Sequence, residues 1–144
     1  MIRPATPADA DAVTAVARSA FEHYIPRIGV PPVPMLVDYA EAIGKVWVAT
    51  DGDRVVGYVL LEDEADSLLL DVLAVDPSAQ GAGVGRALLE FTEEQARQRG
   101  YRRITLYTNE AMTENLVYYP RHGYVETGRE TVGERRRVLF EKRL

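Results

Sequence analysis

The chain contains no cysteine and only two histidines, His23 and His122. The first absence excludes disulfides, thiolate metal sites and a cysteine nucleophile. The second leaves too few imidazoles for a histidine-based zinc site unless carboxylates complete it, so no metal is expected. Long apolar runs are missing too. No window approaches the roughly 20 residues that cross a bilayer, and Met1-Ile2-Arg3-Pro4 does not read as a signal peptide. A cytoplasmic protein with no membrane partner is the expectation. Positive charge is in deficit, with 17 lysines and arginines against 22 acids and a net charge of -5. That argues against nucleic acid as a partner and favours cationic substrates such as amines. Repeats, low-complexity tracts and linkers are absent as well. The 144 residues therefore read as one domain, 1–144, long enough to bury a core.

Against this background one stretch stands out: Gln80-Gly81-Ala82-Gly83-Val84-Gly85-Arg86-Ala87-Leu88-Leu89. It follows an apolar run, Leu68 to Val75, and a turn signal, Asp76-Pro77-Ser78. It opens a helical pattern that reaches Arg99 and stops at Gly100. A glycine-rich loop thus joins a strand to a helix N-terminus. The first N–H groups of a helix have no intrahelical acceptor, and the helix dipole is positive there, so such a loop attracts anions. A phosphate-bearing ligand is expected.

Two familiar phosphate loops fail on the residues. A Walker-type loop needs Lys and then Ser or Thr after its last glycine, and here Gly85 is followed by Arg86-Ala87. A dinucleotide fingerprint begun at Gly81 ends on Arg86, and begun at Gly83 ends on Leu88, where glycine or alanine is required. The stretch does resemble the acetyl-coenzyme A loop of the GNAT superfamily of N-acetyltransferases, Gln/Arg-x-x-Gly-x-Gly/Ala, through Gln80, Gly83 and Gly85. The approach, Leu73-Ala74-Val75-Asp76-Pro77, matches as well.

Periodicity along the chain reads as follows. Ile2 to Ala5 is a short strand, and Thr6-Pro7 starts a helix that runs to Phe21. Ile25 to Pro34 holds four of the eight prolines and reads as a loop. Met35 to Gly44 suggests a short helix. Lys45–Thr50 and Arg54–Leu61 are strands around the hairpin signal Asp51-Gly52. Leu68–Val75 is a strand, apolar except for Asp71. Arg103–Thr108 is a strand, Thr113–Arg121 a helix, and Tyr124–Thr131 with Arg136–Glu141 a hairpin around Gly133. This is an α+β order. The resemblance covers essentially the whole chain. It implies a mixed, mostly antiparallel sheet of about seven strands flanked by about four helices. In that fold Leu68–Val75 and Arg103–Thr108 would splay apart and admit the pantetheine arm of the cofactor.

The resemblance also implies roles for residues. Leu73, Ala74, Val75, Gln80, Gly81, Ala82, Gly83, Val84, Gly85 and Arg86 would hold acetyl-coenzyme A, with the Leu73 N–H as oxyanion donor. Tyr118-Tyr119-Pro120-Arg121-His122-Gly123-Tyr124 resembles the family's Tyr-x-x-x-Gly-Phe/Tyr segment and puts Tyr119 at the position of its tyrosine acid. A helix shifted by one residue would put Tyr118 there instead. Pro120 departs from the pattern and predicts an early end or a kink. The family's asparagine, seven residues before the tyrosine, contacts the cofactor; that position holds Met112, and of the amides at hand, Asn109 and Asn115, the second shares a helix face with Tyr119 and is the expected cofactor contact. Asp71, the one charge in its strand, shares a face with Leu73 and Val75 if alternation is strict. It is a candidate base or a carboxylate that orients the substrate.

Acceptor binding is expected from the variable N-terminal region, with Tyr24, Arg27 and Met35 as candidates and Arg27 suited to a substrate carboxylate. Arg135-Arg136-Arg137 reads as a solvated face. The resulting expectation is transfer of acetyl from acetyl-coenzyme A to the primary amine of a small molecule or protein, in a ternary complex. A non-catalytic acyl-coenzyme A binding module is the alternative. The resemblance allows a homodimer, but no residue pattern marks an interface.

Overall fold

Two tight turns set the two hairpins at either end of the sheet. Gly52 and Gly133 hold φ of +61° and +59°, a region that side chains with a Cβ rarely adopt. The first turn joins β2 (Val46–Asp51) to β3 (Arg54–Asp63), and the second joins β6 (Val125–Val132) to β7 (Arg135–Arg143). With β1 (Ile2–Pro4), β4 (Leu68–Val75) and β5 (Arg103–Asn109) they make one seven-stranded sheet, ordered β1-β2-β3-β4-β5-β7-β6. Every neighbouring pair is antiparallel except β4–β5. The computed structural model describes all 144 residues.

Helices α1 (Ala10–Phe21), α2 (Ile25–Ile28) and α3 (Tyr39–Ala42) precede β2; α4 (Val84–Gln98) and α5 (Thr113–Arg121) follow β4 and β5. Two apolar clusters result, one on each face of the sheet. Val13, Val16 and Phe21 of α1 pack with Tyr39, Val48, Tyr58 and Val72. Leu88 and Leu89 of α4 pack with Val59, Leu61, Leu68, Ile104 and Phe140, and Tyr119 of α5 joins them. No helix is long and apolar enough to cross a membrane.

The α+β order expected from periodicity is found, with local corrections. The helix expected over Met35–Gly44 shrinks to α3, because the Asp38 side chain takes the Glu41 amide at 3.2 Å and fixes an extended residue before it. The segment expected to be loop contains α2, a single turn with Pro26 in its first turn and Gly29 at φ +92° ending it. Pro120 does not end α5 early, since it falls in the last turn and the helix continues to Arg121.

Two irregularities shape the middle of the sheet. The parallel pair β4–β5 holds register only at Leu68↔Ile104 and Leu69↔Thr105, after which the strands part. Between β3 and β4, Leu60 faces Val72 and Leu61 faces Leu70, which leaves Asp71 as the extra residue of a β-bulge. The bulge reverses the strand's phase. Leu68 and Leu70 enter the α4–α5 core, whereas Val72 and Ala74 enter the α1–α3 core. The expectation that Asp71 shares a face with Leu73 and Val75 is therefore overturned. Those two pack toward α4, while Asp71 turns to Tyr107 on the other side.

Gly57 is the point where β3 lets α4 approach. A Cβ there would lie 2.9 Å from the Ala74 carbonyl oxygen, 3.1 Å from Val84 Cγ1 and 3.2 Å from Leu88 Cδ1. Gly57→Ala should lower stability by about 1–3 kcal/mol, the usual cost of overpacking a filled site. Thermal melting of the two proteins checks this, and an unchanged midpoint would refute the close approach.

Candidate active site

The parting of β4 from β5 frees backbone groups. The Asp76 amide donates to Val56 of β3 at 2.8 Å. Because amides alternate sides along a strand, those of Leu73 and Val75 turn away from β3 into the opening. Beyond β4, the Asp76 side chain accepts the Ser78 amide at 3.1 Å and turns the chain. Gly81 and Gly83 then take φ of +83° and lead into α4. In this loop the Gln80 and Ala82 amides bond within the turn, to Pro77 and Ala79. The amides of Gly81, Gly83, Val84, Gly85 and Arg86 have no protein acceptor and converge on the positive end of a 15-residue helix. A groove of about 600 Å³ runs from this loop along β4 to α5.

The groove meets a second, narrower cavity of about 70 Å³ on the other side of the opening. Phe21, Leu73, Asn115 and Tyr119 line both and form the passage between them. Tyr119 is 7% exposed, its ring edge-on to Tyr118 and Tyr124 with centroids at 5.4 and 5.7 Å. Its hydroxyl has no protein partner. Burial, followed by the neighbouring Tyr118, holds its pKa well above the ordinary phenol value, so it stays protonated. Tyr124 Oη is the one sealed side-chain polar atom without a partner. Tyr118 lines the groove alone, its hydroxyl 2.7 Å from where a Cβ on Gly85 would stand. Asn115 Nδ2 donates to Thr108 Oγ1 at 3.0 Å and faces Met112 Sδ at 3.6 Å. Asn109 Oδ1 takes the Ala111 amide at 2.9 Å, a turn before α5, and lines only the narrow cavity.

In that cavity Tyr107 Oη donates to Asp71 Oδ1 at 3.1 Å. Burial raises the Asp71 pKa, and the Tyr107 bond and Arg137 pull it back. Arg137 lies over the Tyr107 ring with Cζ 4.1 Å from its centroid. The remaining walls are mostly apolar, from Phe21, Pro32, Val33, Pro34, Val37 and Met112. No group of three or more His, Asp or Glu side chains is disposed to hold a metal ion.

The expected cofactor residues thus gather along the groove, except Ala82, which is exposed and spends its amide in the turn. The expected acceptor residues do not gather. Arg27 Nη1 is 2.5 Å from Glu114 Oε1 and also donates to the Ala111 carbonyl, outside both cavities. That ion pair draws the Glu114 pKa down to about 2. Tyr24 lines the groove instead of the narrow cavity, and Met35 packs against the α1–α3 core. Tyr107, not among the expected site residues, lines the narrow cavity with Arg135 and Arg137, so of the basic run expected as a solvated face only Arg136 is one, at 74% side-chain exposure. The signal for Tyr107 was available, because residues of β5 beyond the last β4 pair must line the opening.

Residues 42–126, more than half the chain, match the acetyltransferase (GNAT) domain. The chain belongs to the GNAT family. Among GNAT relatives, mycothiol acetyltransferase of Jonesia denitrificans is 40% identical over 77 residues, 52% of this chain and 24% of that protein. Peptidyl-lysine N-acetyltransferase YjaB of Salmonella typhimurium is 34% identical over 90 residues, 62% of this chain and 56% of that protein. The matches thus span from about a quarter to just over half of these relatives' lengths. The GNAT fold is shared with PaiA N-acetyltransferase of Thermoplasma acidophilum, solved with coenzyme A, at TM-score 0.81 and 17% identity over 100% of this chain and 98% of that one. Ribosomal-protein-S18-alanine N-acetyltransferase of Escherichia coli superposes at TM-score 0.78 with 20% identity, over 99% and 92%. The GNAT match begins in α3 and ends in β6, so Phe21, the Pro32–Val37 wall, Arg135 and Arg137 lie outside it.

The raised Asp71 pKa has a consequence for stability. Between its unfolded and folded values the native state holds more protons, so stability falls as pH rises through that window. At neutral pH the carboxylate is a net cost, and the cost vanishes at pH values below its unfolded pKa, about 4. Asp71→Asn should therefore melt higher than the parent at pH 7, with the difference closing as pH falls toward that value. Melting curves across pH check this; a variant less stable at pH 7 would contradict it.

Proposed function

We propose that this chain transfers the acetyl group of acetyl-coenzyme A to a primary amine, of a small molecule or a protein, by direct attack in a ternary complex. The observation that carries this reading is the junction of two differently built spaces at Tyr119. One is floored by unpaired amides and suits a long phosphate-bearing cofactor. The other is small and apolar, with a carboxylate beside the passage. Both are lined by a single chain, so the reading needs no second copy. A cytoplasmic setting is part of the proposal.

The groove residues fit the cofactor. The free amides from Gly81 to Arg86 suit a pyrophosphate, which a chain of net charge -5 must hold by local dipoles and not by its overall field. Glycine at position 85 keeps the groove clear below Tyr118. The turned-out amides of Leu73 and Val75 suit the amide-bearing arm, and the Leu73 N–H is the donor we assign to the thioester oxygen. The bound cofactor supplies an acetyl group activated as a thioester.

The chain's own residues then manage one proton. A C–N bond forms, a C–S bond breaks, and the proton lost from nitrogen must reach sulfur. Asp71 stands on the nitrogen side and takes the proton directly or through water, while Asn115 lines the passage and is kept as a cofactor contact. Tyr119 stands between the two spaces and delivers a proton to the departing thiolate. Its raised pKa keeps that proton in place before the reaction and disfavours leaving a phenolate behind. It therefore serves as a relay, re-protonated from the nitrogen side. Tyr118, confined to the groove, is assigned to cofactor contact.

Two outcomes test the proposal. Gly83→Asp puts a carboxylate at the helix start in a position with nothing within 4 Å of its Cβ, and aspartate tolerates a left-handed backbone better than most residues. Binding of acetyl-coenzyme A by calorimetry should be abolished in a folded variant, and unchanged affinity would remove the cofactor assignment. Tyr119→Phe deletes one hydroxyl. Thiol release over an amine panel should fall by about 100-fold or more, within the range of general acid–base groups, with cofactor affinity nearly unchanged. Cofactor binding without thiol release from any amine in the parent would instead identify a non-catalytic binding module.

A further inference from the structure

We propose that the acceptor is a small amino carboxylate, an amine bearing a carboxylate a few bonds away, and that Arg137, seconded by Arg135, anchors that carboxylate. This deepens the acetyl-transfer reading and rests on it. Arg137 is 23% exposed along its side chain and lines the narrow cavity. Its guanidinium donates no hydrogen bond within the protein, and the one carboxylate within 4 Å, that of Glu130, stands 3.6 Å away, beyond good hydrogen-bond reach. A guanidinium held over an aromatic face with unused donors is preorganised for a carboxylate.

Charge and size narrow the occupant further. Asp71 is the sole acid on the cavity wall, against two arginines. The Tyr107 ring separates Asp71 from Arg137, bonded to one by its hydroxyl and stacked under the other. An amine at Asp71 and an anion at Arg137 would thus lie about one ring apart, with apolar walls beside the carbons between them. A diamine would bring its second ammonium to the arginines. A protein segment is disfavoured because Pro32, Val33, Pro34 and Val37 take up one side of the narrow cavity. Arg135 holds that wall through a bond from Nη2 to the Pro31 carbonyl at 2.8 Å, leaving its other donors free. The space there, about 70 Å³ against about 600 Å³ for the groove, favours a small acceptor.

The test uses the full chain with coenzyme A bound. Calorimetry measures 4-aminobutyrate and β-alanine against n-butylamine and 1,4-diaminobutane, and thiol release from acetyl-coenzyme A is followed for the same four. An amino carboxylate should bind at least ten-fold more tightly than butylamine, and the diamine should be weakest. Arg137→Gln should bring the ratio between aminobutyrate and butylamine close to one. Arg137→Glu should reverse the preference toward the diamine, a gain that a purely structural role would not give. The inference is overturned if butylamine or the diamine binds as well as either amino carboxylate, if neither amino carboxylate binds, or if Arg137→Gln leaves the ratio intact. It also fails if an acidic hexapeptide is acetylated faster at its N-terminus than both. A carboxylate preference in binding without thiol release would overturn acetyl transfer, and with it an acceptor role, and leave only Arg137 as a carboxylate anchor; turnover that favours butylamine would overturn the anchor and leave acetyl transfer standing.

Discussion

The separation of β4 from β5 after two residue pairs is the constraint on which the rest of this molecule depends. A continuous sheet would have consumed the amides of Leu73 and Val75 in a ladder and left no passage between its faces. Keeping the strands apart leaves buried backbone groups unpaired, which folded chains avoid unless something satisfies them. The fold tolerates this because the strands are tied elsewhere. β4 is paired with β3 from Leu68 to Val75, and β5 with β7 along its whole length. The opening is thus a rigid slot between two anchored half-sheets.

The bulge at Asp71 gives the slot two chemically different sides. Before it, alternate residues of β4 serve the core under α4; after it, they serve the core under α1. The strand can then turn Leu73 and Val75 toward the groove and one carboxylate the opposite way. Strict alternation would have put that carboxylate on the groove side, where it would repel a phosphate-bearing ligand. One extra residue therefore separates the groove of free amides from the one carboxylate of the narrow cavity, within a few residues of chain.

Much of this was legible from residue types, and what was not has a physical reason. Glycines at positive φ leave a compositional trace, so the loop from Gln80 to Arg86 could be read directly. The order of elements followed from periodicity, and the opening from resemblance. The bulge left no trace, because Leu70-Asp71-Val72 contains neither glycine nor proline and its register depends on pairing with β3. Acceptor residues were hidden for a related reason. Arg27 and Arg137 are equally plausible partners for a carboxylate in one dimension. Tertiary contacts separate them: Glu114, 87 positions away, takes a hydrogen bond from the Arg27 guanidinium, whereas the Arg137 guanidinium has only the looser ion pair with Glu130 at 3.6 Å.

The same contrast explains how the chain divides its labour. The residues we propose for the cofactor sit on consecutive elements, β4, the glycine loop and α4, whose relation is local. Residues that shape the acceptor cavity are brought together over long separations, as in the bond from Arg135 to Pro31, 104 positions apart. A local device can persist while its surroundings change, since loop and helix dipole carry their own geometry. A cavity assembled from α1, the proline-rich wall and β7 has no such independence. A change in wall length or in the register of the β6–β7 hairpin re-aims the arginines without touching the amides that hold the cofactor. Under the reading proposed above, acceptor choice is thus free to vary on a fixed frame, and the two arginines on β7 are where this chain would express its own.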